Sequence, residues 1–354
     1  MAQLDFEQSH KGDTPNSAKD NSGGAPERLG TAGLRVGLRL KETYLVNAKD
    51  LRTAKNGKPY MRLKLADRDG QVVCMVWDDV ESLASGFEGG DVVWIEGRVT
   101  EFDGQLQIEA AQIRRVEDHL IDPSDFLPRT YRDVDELKGF LAFHIESVYD
   151  SDLRRLLDAF FGDPEFLEMF VTAPAAKQNH HAYLGGLLEH TVSVAALSDH
   201  IAQQYARINR DLLITAGLLH DIGKVEELTY GTTIDFSSAG RFLGHTVLGL
   251  NMVAERARGL EGFPEDKLHL VLHCLASHHG ELEWGSPKRP KTIEALILHH
   301  VDNLDAKVKG FLEIVEGSRT APWTDLRNLF RRPLHVPQAA HQEEDFLPPQ
   351  EDPR

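Results

Sequence analysis

From about residue 34 to 118 the apolar positions alternate with polar ones. Met61, Leu63 and Leu65 interleave with Tyr60, Arg62 and Lys64, the two-residue period of a strand that buries one face. Val72 to Trp77 is a short apolar run, and Val92 to Val99 and Leu106 to Ile108 follow it. Asn56-Gly57, Asp69-Gly70, Gly89-Gly90-Asp91 and Asp103-Gly104 punctuate these runs as turns. The pattern predicts a small five-stranded antiparallel barrel with Met61, Leu63 and Leu65 inside and Tyr60, Arg62 and Lys64 outside.

Beyond the segment from Asp122-Pro123 to Pro128 the period changes. Leu137, Leu141 and Ile145, then Leu153, Leu156, Leu157 and Phe160, then Leu187, Leu188, Thr191, Val194 and Leu197 recur three or four apart, as on one face of a helix. Ser151 and Asp211 are candidate N-caps. The expected architecture is multidomain: an N-terminal all-β barrel over 34–118, a linker over 119–133, and an all-α domain over 134–330. Residues 1–30, rich in Gly, Ser, Asn, Asp and Pro, and 334–354, acidic and proline-bearing, lack apolar periodicity and are expected to be disordered tails. There is no repeat of solenoid period.

Charge alters this picture in one place. The whole chain of 354 residues carries a formal charge of −17, which argues against indiscriminate coating of nucleic acid. Between Arg35 and Arg68, however, ten basic residues face three acidic ones (Glu42, Asp50 and Asp67), a local excess of seven. Five short strands with a basic first half resemble the OB-fold, whose strand 2 and 3 face binds oligonucleotides. Tyr60 would offer a ring for stacking and Arg62 and Lys64 cations for phosphates, as sequence-tolerant single-strand binding requires. Trp77 is either a second platform or a core residue, the core being slightly favoured. The alternative for the basic run is a solvated face.

Cys74 and Cys274 lie far apart, so neither a disulfide framework nor a cysteine zinc site is suggested and a reducing compartment fits. No stretch approaches 18 uninterrupted apolar residues, and the first 30 residues lack a signal-peptide core. A soluble, cytoplasmic protein without membrane contact is expected.

The most informative chemistry is in the helical region. Leu212 to Leu219 is as apolar as a core helix, yet it ends in His220-Asp221. An ionised carboxylate and an imidazole at the end of a buried helix cost several kcal/mol unless compensated, and a metal cation compensates them. His190 follows Leu187-Leu188, His245 precedes Val247-Leu248-Leu250, His278-His279 follow Val271-Leu272, and Asp302 follows Ile297-Leu298. Any one of these alone reads as a satisfied core residue. Their recurrence on successive apolar helices, in the order H…HD…H…HH…D, favours a joint metal site.

That order resembles the signature of the HD superfamily of phosphohydrolases. More narrowly, Gly185-Gly186-Leu187-Leu188-Glu189-His190-Thr191, His220-Asp221-Ile222-Gly223-Lys224, Ser277-His278-His279-Gly280, Trp284-Gly285-Ser286-Pro287-Lys288-Arg289-Pro290 and Asp302-Asn303-Leu304-Asp305-Ala306-Lys307 resemble the YhaM-type 3'-to-5' exoribonucleases, which pair an OB-type domain with an HD domain. The resemblance spans about 34 to 315. It implies two divalent transition-metal ions, one held by His190, His220, Asp221 and Asp302, the other by His245, His278 and His279, with Asp221 bridging. The family favours manganese, while the donor set alone admits iron, cobalt, nickel or zinc as well. Such ions would activate water for attack on phosphorus, and no protein nucleophile is needed.

Other residues follow from the same motifs. Lys224, in the position of an HD-x-x-K motif, would set a point charge on the scissile phosphate; otherwise it is a solvated lysine. Asp305, one turn from Asp302, reads as an acceptor behind the ligands or a surface group. Of His299 and His300 at least one must face away from the metals. His180 and His181 read as substrate contacts or as an ordinary polar loop, and Lys288, Arg289 and Lys291, with Trp284 beside them, as a phosphate-binding segment. The expected activity is a metal-dependent 3'-to-5' exonuclease acting on single-stranded RNA or DNA and releasing nucleoside 5'-monophosphates. The alternative is a nucleotide or cyclic-dinucleotide phosphohydrolase with a regulatory OB domain, although Gly280-Glu281-Leu282 replaces the G-Y-P tripeptide of the cyclic-dinucleotide class. A non-catalytic assembly protein is disfavoured by the complete ligand set, and a homo-oligomer is compatible with the chain.

Overall fold

Residues 28–54, 56–178, 180–318 and 322–337 are described by a computed structural model. Most of the two expected tails therefore lies outside the described residues. At their inner edges both are packed. Arg28 reaches the carbonyl of Asp125 and lies over the Phe126 ring, while Leu334 and Val336 are buried.

Five strands close a barrel in the order β1-β2-β3-β5-β4: β1 (Arg39–Thr53), β2 (Pro59–Asp67), β3 (Gly70–Val76), β4 (Val92–Phe102) and β5 (Gln105–Arg115). β1 is the long member. Its first half pairs with β4 and its second half with β2, and a register shift between Val46 and Ala48 bends it from one partner to the other. Met61, Leu63 and Leu65 are fully buried in the barrel core with Val46, Cys74, Val93 and Ile108. The expected strand 2 facing thus holds. The barrel is not wholly antiparallel, because β3 and β5 run parallel, which is what closure in this order requires after a crossover through the short helix α1 (Val80–Ala84). The expected linker also belongs partly to the barrel: Phe126 packs with Leu45 and Val92.

Helices follow: α2 (Val134–Glu146), α3 (Ser151–Phe161), α4 (Pro164–Thr172), α5 (Gly186–Gln204), α6 (Arg210–Leu219), α7 (Lys224–Glu227), α8 (Ser238–Arg258), α9 (Glu265–Ser277) and α10 (Ile293–Glu316). A hairpin of β6 (Leu228–Tyr230) and β7 (Ile234–Phe236) interrupts them, so the region is not purely helical. The helices share one core, in which Leu187, Leu213, Ile214, Ala216, Leu219, Val271 and Leu298 are all buried. Both expected N-caps shift by one or two residues. Asp150, not Ser151, caps α3 and Asn209 caps α6, while Asp211 instead accepts from the amides of Tyr149 and Asp150 and joins the α3 and α6 starts. A carboxylate two positions inside a helix is as able to serve a neighbouring turn as its own.

Candidate metal centre and nucleic-acid interface

Each chemistry-bearing side chain comes from the end or inner face of a buried helix. His190 stands in the first turns of α5, His220 and Asp221 at the C-terminus of α6, His278 and His279 at that of α9, and Asp302 on α10. His245 needs a special device. Gly244 takes φ +72 and breaks α8, and the next residue donates its amide to Glu227 Oε1 at 2.9 Å. Opposite, a Cβ at Gly223 would stand 2.1 Å from the His245 carbonyl, so only glycine lets α8 approach the His220-Asp221 turn so closely.

The imidazoles are aimed by their outer nitrogens. His220 Nδ1 donates to the Gly217 carbonyl at 2.8 Å and His278 Nδ1 to that of Leu275 at 2.6 Å. His245 Nδ1 meets Glu227 Oε1 at 3.1 Å, and His190 Nδ1 meets Asp305 Oδ2 at 2.7 Å. In each case Nε2 is left facing inward, the orientation in which neutral imidazole serves as a metal ligand.

Between them lies Asp221. Its Oδ2 is 3.4 Å from His190 Nε2 and 3.3 Å from His220 Nε2; its Oδ1 is 3.5 Å from His245 Nε2 and 3.7 Å from His278 Nε2. Asp302 Oδ1 stands 3.2 Å from His190 Nε2. His279 stacks edge-on with His278 and His245, at 4.1 and 5.1 Å between centroids. Potential ligand atoms within His190-His220-Asp221 and within His245-His278-His279 lie within 4.8 Å of one another.

The electrostatics are those of a site built for cations. Burial would raise the Asp221 carboxyl, but the Lys224 ammonium and His220 outweigh it and hold the group well below the usual carboxylate range. Burial and the neighbouring His279 push His278 well below the usual histidine range, so it is neutral. His245 Nε2 and His278 Nε2 are buried with no hydrogen-bond partner. Buried polar atoms are rarely left so, because each orphan costs about 1–3 kcal/mol. A divalent cation between them would satisfy both, and imidazole with carboxylate is a donor set that such a cation accepts. The residues present fit the group.

Around this centre the sequence-based assignments divide. Lys224 is not a solvated lysine; its Nζ bonds Asp221 Oδ2 at 2.6 Å. Asp305 accepts from His190 and His181, behind the inward-facing atoms. His299 is buried against the His278 carbonyl and His300 is exposed, so neither joins the cluster. His181 is a correction. It is buried, with its ring between Tyr183 OH at 3.0 Å and Asp305 Oδ2 at 3.1 Å, so it has no free edge for a nucleic acid and instead props Asp305. Its companion His180 does line the cleft, beside Lys224. Arg289 is exposed but paired with Glu281 at 3.0 Å, which reduces its availability to phosphate; Lys288 is exposed beside it. Periodicity gave no sign of Glu227, or of the buried Glu189 that takes hydrogen bonds from Thr130, Tyr183 and Lys309. Glu189 precedes His190 within α5 and Glu227 ends α7, and neither position has a periodic signal of its own.

On the barrel, Tyr60, Arg62 and Lys64 point outward along β2. Trp77 corrects the core expectation: it lies just past β3, is half exposed, and packs on Tyr60 with centroids 5.1 Å apart. By the two-residue period of the strand Val72, Cys74 and Val76 face the core, so Trp77 falls on the outer face with Val73 and Met75. With Phe102, Arg52 and Arg62 these rings line a hollow of about 540 Å³.

Comparison with known proteins adds the following. The HD domain family matches residues 187–307, and the family described as an OB-fold nucleic acid binding domain matches residues 45–116. A family described as a putative helicase overlaps residues 140–212. Over 291 residues the chain is 32% identical to a Bacillus subtilis protein named 3'-5' exoribonuclease YhaM, covering 82% of this chain and 92% of that one. A protein of the same name from a Geobacillus species is 30% identical over 297 residues, covering 84% and 91%.

Proposed function

Because the chain belongs to the YhaM family of 3'-5' exoribonucleases, we propose that it hydrolyses single-stranded RNA from the 3' end at the His/Asp centre and holds the strand on its barrel. The alternative, a nucleotide or cyclic-dinucleotide phosphohydrolase, is not favoured by these relatives. One observation carries the reading: the two oxygens of Asp221 face two different pairs of imidazoles, His190 with His220 and His245 with His278. A carboxylate so placed suits a bridge between two cations.

In this reading His190, His220, Asp221 and Asp302 hold one ion and His245, His278 and His279 the other, with manganese the favoured metal. When bound, the ions lower the pKa of water and neutralise charge on phosphate. The protein's own residues do the rest. Asp305 and Glu227 fix the ring planes of His190 and His245. Lys224, a buried cation beside Asp221 at the cleft, would offer a point charge to the scissile phosphate. Hydrolysis joins the water oxygen to phosphorus and breaks the bond from phosphorus to the 3' oxygen, which leaves with a proton; the product is a nucleoside 5'-monophosphate. Tyr60, Trp77, Arg62 and Lys64 would stack bases and bind phosphates of the upstream strand. DNA would enter the same face, because no group named above reads a 2'-hydroxyl, and Lys288 would add a phosphate contact near the centre.

No helix among the described residues is long and apolar enough to cross a membrane. The two buried free cysteines support a reducing, cytoplasmic setting. The deciding experiment is product analysis on an RNA with a free and with a blocked 3' end in the presence of Mn²⁺. The reading requires nucleoside 5'-monophosphates from the free end alone; equal cleavage of the two substrates would reject it.

A further inference from the structure

The cleft at the metal centre has two lobes. One, of about 220 Å³, is walled by His190, Asp221, His279, Asp302 and Trp284; the other, of about 550 Å³, by His245, Lys177, Gln178 and Phe236. Ala175, His180 and Lys224 line both, so the lobes meet at the cation that stands beside Asp221. The candidate metal ligands thus lie at the waist of a longer groove rather than at the bottom of a single pit.

Each lobe carries one large ring that the fold leaves uncovered. Trp284, 56% exposed, sits in the turn Leu282–Trp284, 5.8 Å from the His299 ring, with Lys307 Nζ 6.0 Å from its centroid. Phe236, 38% exposed, ends the β6–β7 hairpin with Lys177 Nζ 5.7 Å from its centroid. Lys177 in turn bonds Asp235 at 2.8 Å, which ties β7 to the wall of the groove. Neither ring is needed as core. An exposed ring beside a cation suits a nucleobase followed by a phosphate, and its π-face accepts every base, as a degradative enzyme requires.

We propose that Trp284 and Phe236 are the stacking platforms for the two bases that flank the scissile phosphate, Trp284 taking the 3'-terminal base and Phe236 the base before it. We assign the direction from size, the smaller lobe to the single terminal nucleotide and the larger to the strand that continues from it. The assignment rests on the exonuclease reading above. It explains how the phosphate is brought to the waist beside Lys224 without any base-specific hydrogen bond.

The test uses the full-length enzyme with Mn²⁺ and 20-mer RNAs, unmodified or carrying one abasic ribonucleotide at the terminal or the penultimate position. For wild type, kcat/KM for release of the first nucleotide falls about tenfold with either abasic site. Trp284→Ala abolishes the terminal effect and keeps the penultimate one, Phe236→Ala does the reverse, and Trp284→Phe restores the wild-type pattern. Persistence of the terminal effect in Trp284→Ala, an exchange of the two patterns, or indifference of wild type to both abasic sites would overturn the assignment. Failure of wild type to release any nucleotide from unmodified RNA is a separate result and removes the exonuclease reading and the assignment with it.

Discussion

Lys224 Nζ lies 2.6 Å from Asp221 Oδ2, a buried ammonium on the carboxylate around which four histidines converge. Asp221→Ala removes the group that faces both ion positions. Turnover should fall by at least ~100-fold and both cations should be lost on gel filtration, because Lewis-acid and water-activating roles go together. Elemental analysis beside kcat checks it; normal metal content with retained turnover would take Asp221 out of the bridge.

Lys224→Ala leaves the Asp221 charge short of its partner. The metal-free protein should lose about 3 kcal/mol, the typical cost of breaking a buried pair from one side. With Mn²⁺ bound the loss should shrink, since the cations replace the ammonium. Denaturant melts with and without Mn²⁺ measure the difference, and an equal loss in both conditions counts against a pairing role.

Chelation should abolish hydrolysis, and a divalent transition metal should restore it. The melting temperature should also rise with metal, since a ligand at 100 times its Kd adds about 2.7 kcal/mol. Full activity in a preparation shown by elemental analysis to be metal-free would defeat the metal reading.

Glu227→Gln weakens the acceptor that orients His245. Loss of such a support typically costs 10–100-fold in metal affinity. The ion between His245, His278 and His279 should therefore dissociate first, leaving about one ion per chain at intermediate Mn²⁺, as isothermal titration would resolve into two separated steps. Simultaneous weakening of both steps would mean that the ions are not held independently.

Replacing Tyr60, Arg62 and Lys64 together by alanine should weaken binding of a 20-mer by several kcal/mol and flatten its salt dependence, since stacking contributes about 1–3 kcal/mol per base. Hydrolysis of a dinucleotide, too short to reach the barrel, should be almost unchanged. Equal damage to both substrates would point to a fold defect instead.

Burial pushes the thiols of Cys74 and Cys274 up to about 12, so at pH 8 both are neutral. Neither should react with a thiol reagent in the native protein, and both should react on denaturation. Rapid labelling of the folded chain would show that one of these cores opens.

The elements that hold the site were readable where a local rule decides them. Alternation placed Met61, Leu63 and Leu65 inside a strand, and helical spacing put His190, His220 and Asp302 on apolar helices, because side-chain direction follows from backbone geometry a few residues at a time. The order of histidines and carboxylates also suggested which of them would meet.

Contacts between distant segments were decided only by the tertiary structure. Which turn Asp211 would serve, that β3 and β5 would run parallel, and that His181 would be enclosed by Tyr183 and Asp305 all depend on how separate elements pack. So does Glu227, which reaches His245 only because Gly244 breaks one helix and Gly223 admits it to the next. Periodicity reports which face of an element is buried, but the partner of a buried polar atom is set by the packing of another element against that face.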